Sequence, residues 1–318
     1  MHHNAIFTIN KKRGVKMWFI FALLTTLAWG SADLFYKKGS DRNDKFSHVK
    51  IVIMVGLIMG IHALWYMFSN DIRFSPFQLI HYFPVSLCYI LSMTIGYIGL
   101  RYIELSISSP IQNSSGAITA ILLFIFFKQD LGWLEILAII IISTGVFALA
   151  LLEKKTENEE LAFKNVKIDP KYKIGFLAII FPVLYCIIDG LGTFADAIYL
   201  DEMTLISEND ALLAYEFTFF ICSVIAFIYY TVIKKQKFNF IKERNKGFAA
   251  IFETIGQFFY VFAMSGSAII AAPLISAYSI VSVILSRIFL KEKLTKKQYI
   301  VILFVIIGII LLGISDEL

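Results

Sequence analysis

Apolar stretches of about 20 residues, the length at which a helix crosses a bilayer, alternate with short polar segments along most of the chain. A membrane β-barrel would instead show stretches of about 10 residues with alternating polarity. The continuous apolar runs therefore predict an all-α membrane protein with ten transmembrane helices. The predicted spans are 17–36, 49–69, 77–98, 105–127, 133–152, 174–195, 211–233, 247–264, 268–290 and 299–315.

The second half of the chain repeats the pattern of the first. At an offset of 163 positions, residues 96–150 align with residues 259–313 without a gap, and Pro110 falls on Pro273. Each copy contains a proline-led apolar helix, a basic turn and a second apolar helix. Because the number of spans per copy is odd, the second copy is turned upside down in the membrane. We therefore predict two inverted five-helix repeats, an architecture typical of secondary transporters.

The repeats set the expected domain boundaries. Spans one to five occupy residues 1–152, and spans six to ten occupy residues 174–318. Between them, residues 153–173 are polar, contain a proline and are interpreted as a linker. A further acidic stretch, residues 196–210, is interpreted as a loop or a short helix at the membrane surface. In inverted-repeat transporters the substrate site lies between the copies near the bilayer midplane, so polar residues within spans are its candidates.

Composition supports a membrane protein and excludes several other classes. Hydrophobic residues make up 58% of the chain and the mean hydropathy is +0.74, more apolar than a soluble domain. The net charge of +5 does not indicate nucleic-acid binding, because no zinc-finger or Walker spacing accompanies the basic loops. Cys88, Cys186 and Cys222 lie within predicted spans without metal-ligand spacing and are interpreted as packing residues. We expect no cofactor and no metal.

The basic residues are distributed unequally between the two sides of the ten-span arrangement. Six of the 29 Lys and Arg residues fall on the side that carries the termini, and the other 23 fall on the opposite side. By the positive-inside rule, residues 153–173 then face the cytoplasm and both termini face outside. The basic stretch before Met17 opposes this orientation unless translation begins at Met17.

Charged residues within predicted spans are the main site candidates, because they are costly in hydrocarbon and usually face a cavity or a partner. Asp33 and Asp189 follow an aromatic residue, Trp29 and Tyr185 respectively, by four positions, so each pair shares a helix face. Two such pairs predict an acidic pocket with aromatic walls, which suits a cation or a proton. The alternative for Asp33 is a position at the membrane surface near Lys37.

Further polar residues extend this candidate substrate and proton site. In span eight, Glu253, Gln257 and Tyr260 form a polar stripe. In span four, Gln112 and Asn113 carry amides that need partners in hydrocarbon.

Two other residues of the spans have structural consequences. Glu216, about one turn into span seven, is interpreted either as an interfacial carboxylate or as a functional one. Pro182 lacks a backbone donor and is expected to kink span six just before Tyr185.

Short motifs carry a resemblance to a known family. Residues 289–295 read Phe-Leu-Lys-Glu-Lys-Leu-Thr, residues 127–131 read Phe-Lys-Gln-Asp-Leu at the equivalent place, and Trp29-Gly30-Ser31 lies late in span one. With the ten-span plan, these resemble the EamA-like members of the drug/metabolite transporter superfamily over nearly the whole chain. The resemblance implies a multi-pass transporter of the cell membrane. It also implies that both termini lie in the cytoplasm, which conflicts with the distribution of basic residues.

We therefore expect a secondary active transporter, not an enzyme, that moves a small metabolite or drug-like solute by alternating access, with protons as a candidate coupling ion. The expected partners are a small-molecule substrate and the lipid bilayer, not nucleic acid, and the chain is expected to be a monomer or a weak homodimer. The alternatives are a transporter-like membrane sensor or scaffold, and an integral membrane enzyme that modifies lipids. An enzyme would need a nucleophile or a His/Asp/Glu cluster in a polar loop, whereas His48, His62 and His81 are scattered.

Overall fold

The computed structural model describes residues 17–41, 43–163, 180–292 and 294–315, and every regular element within them is helical. The helices are α1 (Met17–Gly39), α2 (Ser47–Ser69), α3 (Phe77–His81), α4 (Phe83–Gly99), α5 (Leu105–Asn113), α6 (Ser115–Phe126), α7 (Trp133–Phe163), α8 (Ile180–Ala197), α9 (Glu208–Ile228), α10 (Arg244–Ser276), α11 (Tyr278–Leu285) and α12 (Lys296–Ser315). The π-helical turns Ile198–Glu202, Tyr229–Ile233 and Ser286–Leu290 extend α8, α9 and α11.

Among the described residues, seven helical segments are long and apolar enough to cross a membrane. They are Met17–Gly39, Ser47–Ser69, Ser108–Phe126, Trp133–Leu152, Ile180–Glu202, Glu208–Ile233 and Arg244–Leu290. Helix α4 is apolar but shorter. Large apolar side chains on the outer surface of the bundle, such as Phe124 and Ile225, are more than half exposed. A surface of this kind suits contact with lipid chains, and the prediction of an all-α membrane protein is confirmed.

The longest helical run, Arg244–Leu290, combines two of the predicted spans. At 1.5 Å per residue its 47 residues would extend about 70 Å, more than twice the hydrocarbon core of about 30 Å. The run is broken at Ser267, whose backbone angles (φ −172°, ψ 89°) are not helical. Asp201 from the turn after α8 accepts a hydrogen bond from the N–H of Ala268 at 2.7 Å, which caps the helix where it restarts. The sequence predicted separate spans here but not the continuous helix around the break.

Two boundaries differ from the sequence interpretation. Helix α7 continues to Phe163, so residues 153–163 are helical rather than part of an irregular linker, and residues 164–173 lie outside the described residues. The glutamates and lysines of this segment favour helix, which explains the extension. The stretch 196–210, interpreted as a loop or a short helix at the membrane surface, is helical as far as Glu202 and again from Glu208. Pro182 is the third residue of the described part of α8, so the predicted kink falls at the edge of the described residues.

Helices of the two halves pack against each other in matched pairs. Helix α1 packs along the first part of α10, and α4 packs along α8. In the numbering of the predicted spans, these are spans one and eight, and spans three and six, so the partners are exchanged between the two halves. Helices α2 and α9 pair, as do α7 and α12, which correspond to spans two and seven and spans five and ten. Exchange of the two halves therefore converts the pair of spans one and eight into the pair of spans six and three. The other two pairs each consist of the same span from both halves.

One end of the bundle is rich in basic residues. This basic end is formed by the loops 40–46, 100–104, 234–243 and 291–295. Lys50, at the start of α2, contacts Asp44 at 2.8 Å and Glu243 at 2.9 Å, and Lys246 also pairs with Glu243.

Hydrogen bonds join the other loops of the basic end. The guanidinium of Arg101 donates to the carbonyls of Asp41 and Lys45, which ties two of these loops together. Glu292 accepts from the N–H of Ser106 at 3.1 Å. Near them, burial alone would raise the pKa of Asp44, but hydrogen bonds from Lys50 and from a backbone N–H lower it below the usual value.

The other end carries more acidic than basic residues. This acidic end is formed by the loops 70–76, 127–132 and 203–207, by the break at Ser267 and by the helix ends and the π-helical turn next to them. Its acidic residues are Asp71, Asp130, Glu135, Asp201, Glu202, Glu208 and Asp210, and its basic residues are Arg73 and Lys128. Gln129 donates to Glu202 at 2.6 Å, which joins the loop 127–132 to the turn after α8. The hydroxyl of Tyr199 donates to the carbonyl of His81 at 3.0 Å, which joins the turn after α8 to α3.

Candidate functional site

A cavity of about 60 Å³ lies between helices of the two halves of the chain. Its wall is built from α1, α4, α5, α6, α8, α9, α10 and α11. All nine site residues predicted from the sequence line it: Trp29, Asp33, Gln112, Asn113, Tyr185, Asp189, Glu253, Gln257 and Tyr260. This volume accommodates a few water-sized groups, whereas pockets for drug-sized ligands measure about 300–1,000 Å³. A larger solute would require the helices to move apart.

Asp33 projects from α1 into this cavity rather than to the membrane surface. Its Oδ2 accepts hydrogen bonds from the hydroxyls of Ser109 on α5, at 2.6 Å, and Ser282 on α11, at 2.7 Å. The alternative position near Lys37 is not what the structure shows. Lys37 instead donates to two backbone carbonyls of the loop 100–104. Asp33 therefore joins one helix of the first half to one of the second half through serine hydroxyls.

Asp189 occupies the corresponding position on α8. Its Oδ2 accepts a hydrogen bond from Ser115 on α6 at 2.8 Å, and its Oδ1 accepts one from Ser92 on α4 at 3.4 Å. Asp33 contacts α11, which forms the second part of span nine after Ala277, and Asp189 contacts α6, which forms the second part of span four after Ser114. One serine partner of each aspartate thus lies on an equivalent helix when the halves of the chain are exchanged, whereas the second partners, Ser109 and Ser92, do not.

Glu253 is the third carboxylate of the cavity and the most deeply buried, with 7% of its surface exposed. The hydroxyl of Tyr36 donates to its Oε2 at 3.4 Å. Tyr97 donates in turn to the hydroxyl of Tyr36 at 3.1 Å. This carboxylate is therefore held by a short chain of tyrosines from α1 and α4.

Trp29 forms an aromatic wall against α10 and α11. Its ring lies 5.0 Å from that of Tyr260 and 5.7 Å from that of Tyr278, centre to centre. Its indole N–H donates to the backbone carbonyl of Glu253 at 3.3 Å. The ring fits because residue 256 is glycine, where a Cβ would lie closer to the indole than van der Waals contact allows.

Tyr185, on the opposite side of the cavity from Trp29, also packs against a glycine. Its ring packs over Gly96 of α4, where a Cβ would lie 2.8 Å from the ring. Each aromatic predicted from the sequence therefore rests on a glycine of the helix that it crosses. Close approach of the helices in both pairs brings the aspartates, one turn further along α1 and α8, to the cavity.

The amides provide hydrogen-bond donors to the cavity. Asn113 donates to the hydroxyl of Ser109 at 3.1 Å and so supports a ligand of Asp33. The amide nitrogens of Gln112 and Gln257 are buried and have no hydrogen-bond partner within the described part of the chain. Unpaired buried donors are costly, so these two nitrogens are suited to an acceptor inside the cavity, either water or a solute oxygen.

Several cavity groups were missed at the sequence level. Four tyrosines that were not predicted as site residues line the cavity: Tyr36, Tyr89, Tyr97 and Tyr215. Asp196 lies just behind this wall, fully buried, although the predicted span six ended at residue 195. A signal for it existed, because Asp189, Thr193 and Asp196 are spaced four and three residues apart and share one face of α8.

Glu216 lies outside the cavity wall. It is two turns into α9, deeper than predicted, and it is completely buried. Its carboxylate contacts Nδ1 of His62 on α2 at 2.8 and 2.9 Å. The interpretation as an interfacial carboxylate is therefore wrong, and the residue instead belongs to a polar contact between α2 and α9. Among the described residues, no group of three or more His, Cys, Asp or Glu side chains is arranged to hold a metal.

Comparison with known proteins identifies the family. The model of the EamA-like transporter family matches residues 16–151 and again residues 173–314. The chain belongs to the EamA-like transporter family. It is accordingly a multi-pass membrane protein of a family of transporters, as the resemblance of the turn motifs and the apolar spans implied.

Other similarities bear on the chain length and the fold. An uncharacterized protein of Methanocaldococcus jannaschii is 32% identical over 145 residues, which cover 98% of that protein and 44% of this chain. A solved crystal structure of a protein aligns over 94% of this chain and 97% of its own chain, with a TM-score of 0.63 and 9% identity. At that identity the structural match concerns the fold alone.

Proposed function

We propose that this protein is a secondary transporter that moves a small solute with a cationic group by alternating access, and that carboxylates of its central cavity bind that group or a proton. The observation that carries the proposal is the grouping of Asp33, Asp189 and Glu253 around one small cavity. Among the described residues that line the cavity, there is no Lys or Arg.

The physical argument concerns charge in a medium of low dielectric constant. An ionised carboxylate away from water is costly unless a cation or hydrogen bonds compensate it. The serine and tyrosine hydroxyls around Asp33, Asp189 and Glu253 supply hydrogen bonds but no positive charge. Three carboxylates in one cavity also repel each other when they are ionised. A bound cation or proton relieves both costs, and the faces of aromatic rings add cation–π attraction.

The unpaired amides suggest a second feature of the solute. The amide nitrogens of Gln112 and Gln257 can each donate to an oxygen acceptor. A solute that carries a cationic group and an oxygen acceptor would use the carboxylates and the amides together. The cavity would have to widen to admit such a solute, which is expected if helices move during transport.

The contacts at the two ends of the bundle support ten crossings in two inverted repeats. If ten spans alternate in direction, the loops of the basic end all fall on one side, and those of the acidic end fall on the other. The observed contacts follow this division: Lys50 with Glu243 and Ser106 with Glu292 at one end, and Gln129 with Glu202 at the other. The helical run Arg244–Leu290, which passes through the break at Ser267, is also long enough for two crossings.

This arrangement supports a mechanism of alternating access. Helices of both halves line the cavity, and contacts between loops close the bundle at each end. Rocking one repeat against the other would open one end while the other stays closed. The half-length relative from Methanocaldococcus jannaschii suggests that one repeat is a unit in its own right. The alternative of a lipid-modifying enzyme receives no support, since members of the family are transporters.

The proposal is tested with purified protein in proteoliposomes. Uptake and efflux of a panel of small cationic and zwitterionic solutes are measured with and without a pH gradient, for the wild type, Asp189→Asn, Glu253→Gln and Asp71→Asn. Asp71 is an exposed loop residue whose positive φ of 50° asparagine also tolerates, so this variant is the matched control.

The two roles of a cavity carboxylate give different results. If Asp189 binds a coupling proton, Asp189→Asn abolishes accumulation driven by a pH gradient but leaves solute exchange measurable. If it binds the solute, the affinity for a cationic solute falls in both assays by tenfold or more. Wild-type rates and affinities in both Asp189→Asn and Glu253→Gln, at normal expression, would show that these residues are structural and would refute the site.

A further inference from the structure

A further buried carboxylate, Asp196, lies outside the cavity wall but is connected to it by hydrogen bonds. It has no exposed surface, although the side chain of an aspartate is ionised in neutral water. The hydroxyl of Tyr82 donates to its Oδ1, and the hydroxyl of Tyr89 donates to its Oδ2 at 3.5 Å. In the described part of the chain no Lys, Arg or His pairs with it. A carboxylate in this setting needs a proton or a cation at some stage of its cycle.

Hydroxyl groups link Asp196 to the cavity. Tyr89 lines the cavity, and its hydroxyl lies 2.6 Å from that of Tyr260 and 3.2 Å from that of Thr193. Tyr260 and Thr193 line the cavity as well. A continuous path of hydrogen bonds therefore runs from the cavity through Tyr260 and Tyr89 to Asp196, and on to Tyr82.

The helix geometry explains why these groups meet. Asp189, Thr193 and Asp196 occupy one face of α8 at successive turns, so the two carboxylates are about 10 Å apart along the helix. Asp189 faces the cavity, and Asp196 lies toward the acidic end, where Tyr82 of the α3–α4 junction covers it. Asp196 is thus placed between the cavity and that end of the bundle.

We propose that Asp196 is a proton-binding site separate from the cavity carboxylates, and that Tyr89 and Tyr260 pass protons between it and the cavity. Its part in coupling rests on the proposed transport function, but its binding of a proton does not. A cation other than a proton is disfavoured, because the oxygens of Asp196 are already occupied by tyrosine hydroxyls and the residue has no exposed surface.

The transfer is a rearrangement of hydrogen bonds with no net change at the tyrosines. A hydroxyl donates one proton and accepts another, so Tyr89 gives its proton to Oδ2 of Asp196 and takes one from the hydroxyl of Tyr260. Tyr260 is reprotonated from water or an acid in the cavity. One O–H bond breaks and one forms at each tyrosine. The proton ends on Asp196, which becomes neutral in its apolar surroundings.

The surroundings contain few other titratable groups. Those that face Asp196 from neighbouring elements are tyrosines: Tyr82 and Tyr89 from the α3–α4 region, Tyr215 from α9 and Tyr260 from α10. On its own helix, Asp189 lies toward the cavity, and Asp201 of the following turn contacts the restart of α10. Toward the acidic end, the ring of Tyr199 packs between Tyr82 and His81. Asp196 is thus the first carboxylate that a proton meets along the tyrosine path from the cavity.

The first test records the infrared absorption of protonated carboxyl groups in the purified full chain as pH is varied, without a transported solute. We expect one titrating band to be absent in Asp196→Asn and present in Asp71→Asn. The same band should persist in the triple variant Asp33→Asn, Asp189→Asn, Glu253→Gln. It should shift in frequency in Tyr82→Phe, which removes one hydrogen bond to Asp196. An unchanged set of bands in Asp196→Asn, or in Tyr82→Phe if Asp196→Asn does not fold, would overturn the proposal.

The second test follows the rise of this band after a rapid drop in pH. Tyr260→Phe should slow the rise at least tenfold while its final amplitude is kept, because it interrupts the path from the cavity without removing Asp196. Tyr89→Phe should slow the rise by a smaller factor, because Tyr260 also hydrogen-bonds to Asp196 directly. Wild-type rates in both variants would refute the relay. Since neither test uses a transported solute, a failed solute site and a failed proton site give separate results.

Discussion

At the scale of single residues, burial alone does not reveal the role of an acidic side chain. Glu216 and Asp196 are equally inaccessible, but Glu216 faces His62 across the contact between α2 and α9, whereas Asp196 faces tyrosines. His62 keeps 21% of its side chain exposed and also packs against the ring of Tyr66. We therefore assign Glu216 to the structural contact between these helices and not to the solute path.

Removal of Glu216 is expected to destabilise the fold. Deleting one partner of a buried hydrogen-bonded contact costs about 1–3 kcal/mol, so Glu216→Ala should unfold at a lower temperature in detergent micelles. Glu216→Gln keeps an acceptor oxygen next to Nδ1 of His62 and should lose less stability. If instead Glu216→Ala keeps the wild-type unfolding temperature but loses transport, the assignment is wrong and Glu216 belongs to the solute path.

A substitution at Gly256 tests whether close packing positions Trp29 in the cavity wall. A methyl group at this position would overlap the indole of Trp29, which is confined on its other faces by Tyr260 and Tyr278. Gly256→Ala should therefore displace the ring, cost about 1–3 kcal/mol in stability and weaken binding of a cationic solute. Gly132→Ala is the control, because a methyl group there meets nothing closer than 3.5 Å. Equal solute affinity in both variants would argue against a role of Trp29 in the site.

At the scale of elements, the break in α10 depends on another part of the chain. The helix restarts at Ala268, whose N–H is capped by Asp201 from the turn after α8. Asp201→Ala should cost about 0.5–2 kcal/mol, the usual value of a capping side chain, whereas Asp201→Asn retains an acceptor oxygen and should cost less. Hydrogen exchange of the amides that follow Ser267 provides a local measurement. If these amides in Asp201→Ala exchange as slowly as in the wild type, the break does not need this cap.

At the scale of the whole molecule, the unequal charge of the two ends predicts the orientation in the membrane. The basic end should face the cytoplasm by the positive-inside rule, which also places residues 153–173 inside and the termini outside. In a background without Cys88, Cys186 and Cys222, single cysteines at two exposed loop positions, Ser75→Cys and Lys237→Cys, are treated with an impermeant maleimide on intact cells. We expect labelling at position 75 only.

The reverse labelling pattern would contradict the predicted orientation. Labelling at position 237 and not at 75 would place both termini in the cytoplasm, as the family resemblance implies, and would overturn the charge argument. Labelling of both positions only after the cells are permeabilised would contradict the assignment of the loops 70–76 and 234–243 to opposite ends.

Much of this protein is determined by its sequence alone. Long apolar runs without polar interruptions require helices, because a backbone in hydrocarbon must satisfy its own hydrogen bonds. The family and the all-helical fold follow from this pattern and from the turn motifs at 127–131 and 289–295. The pairing of Trp29 with Asp33 and of Tyr185 with Asp189 follows from the period of the helix, since residues four apart share a face.

The tertiary structure decided which of these faces meet. Asp33 accepts hydrogen bonds from Ser109 and Ser282, and Glu216 contacts His62. In each case the partners lie on helices that are far apart in the chain. In a soluble protein the apolar stripe of a helix shows which side is buried. When a helix is apolar on all sides, its sequence does not show which side faces the other helices. Its rotation and register are set by close packing against its neighbours, as at Gly256, and not by the hydrophobic pattern. For that reason the sequence alone could nominate polar residues, but only the packed helices showed which of them face a common cavity.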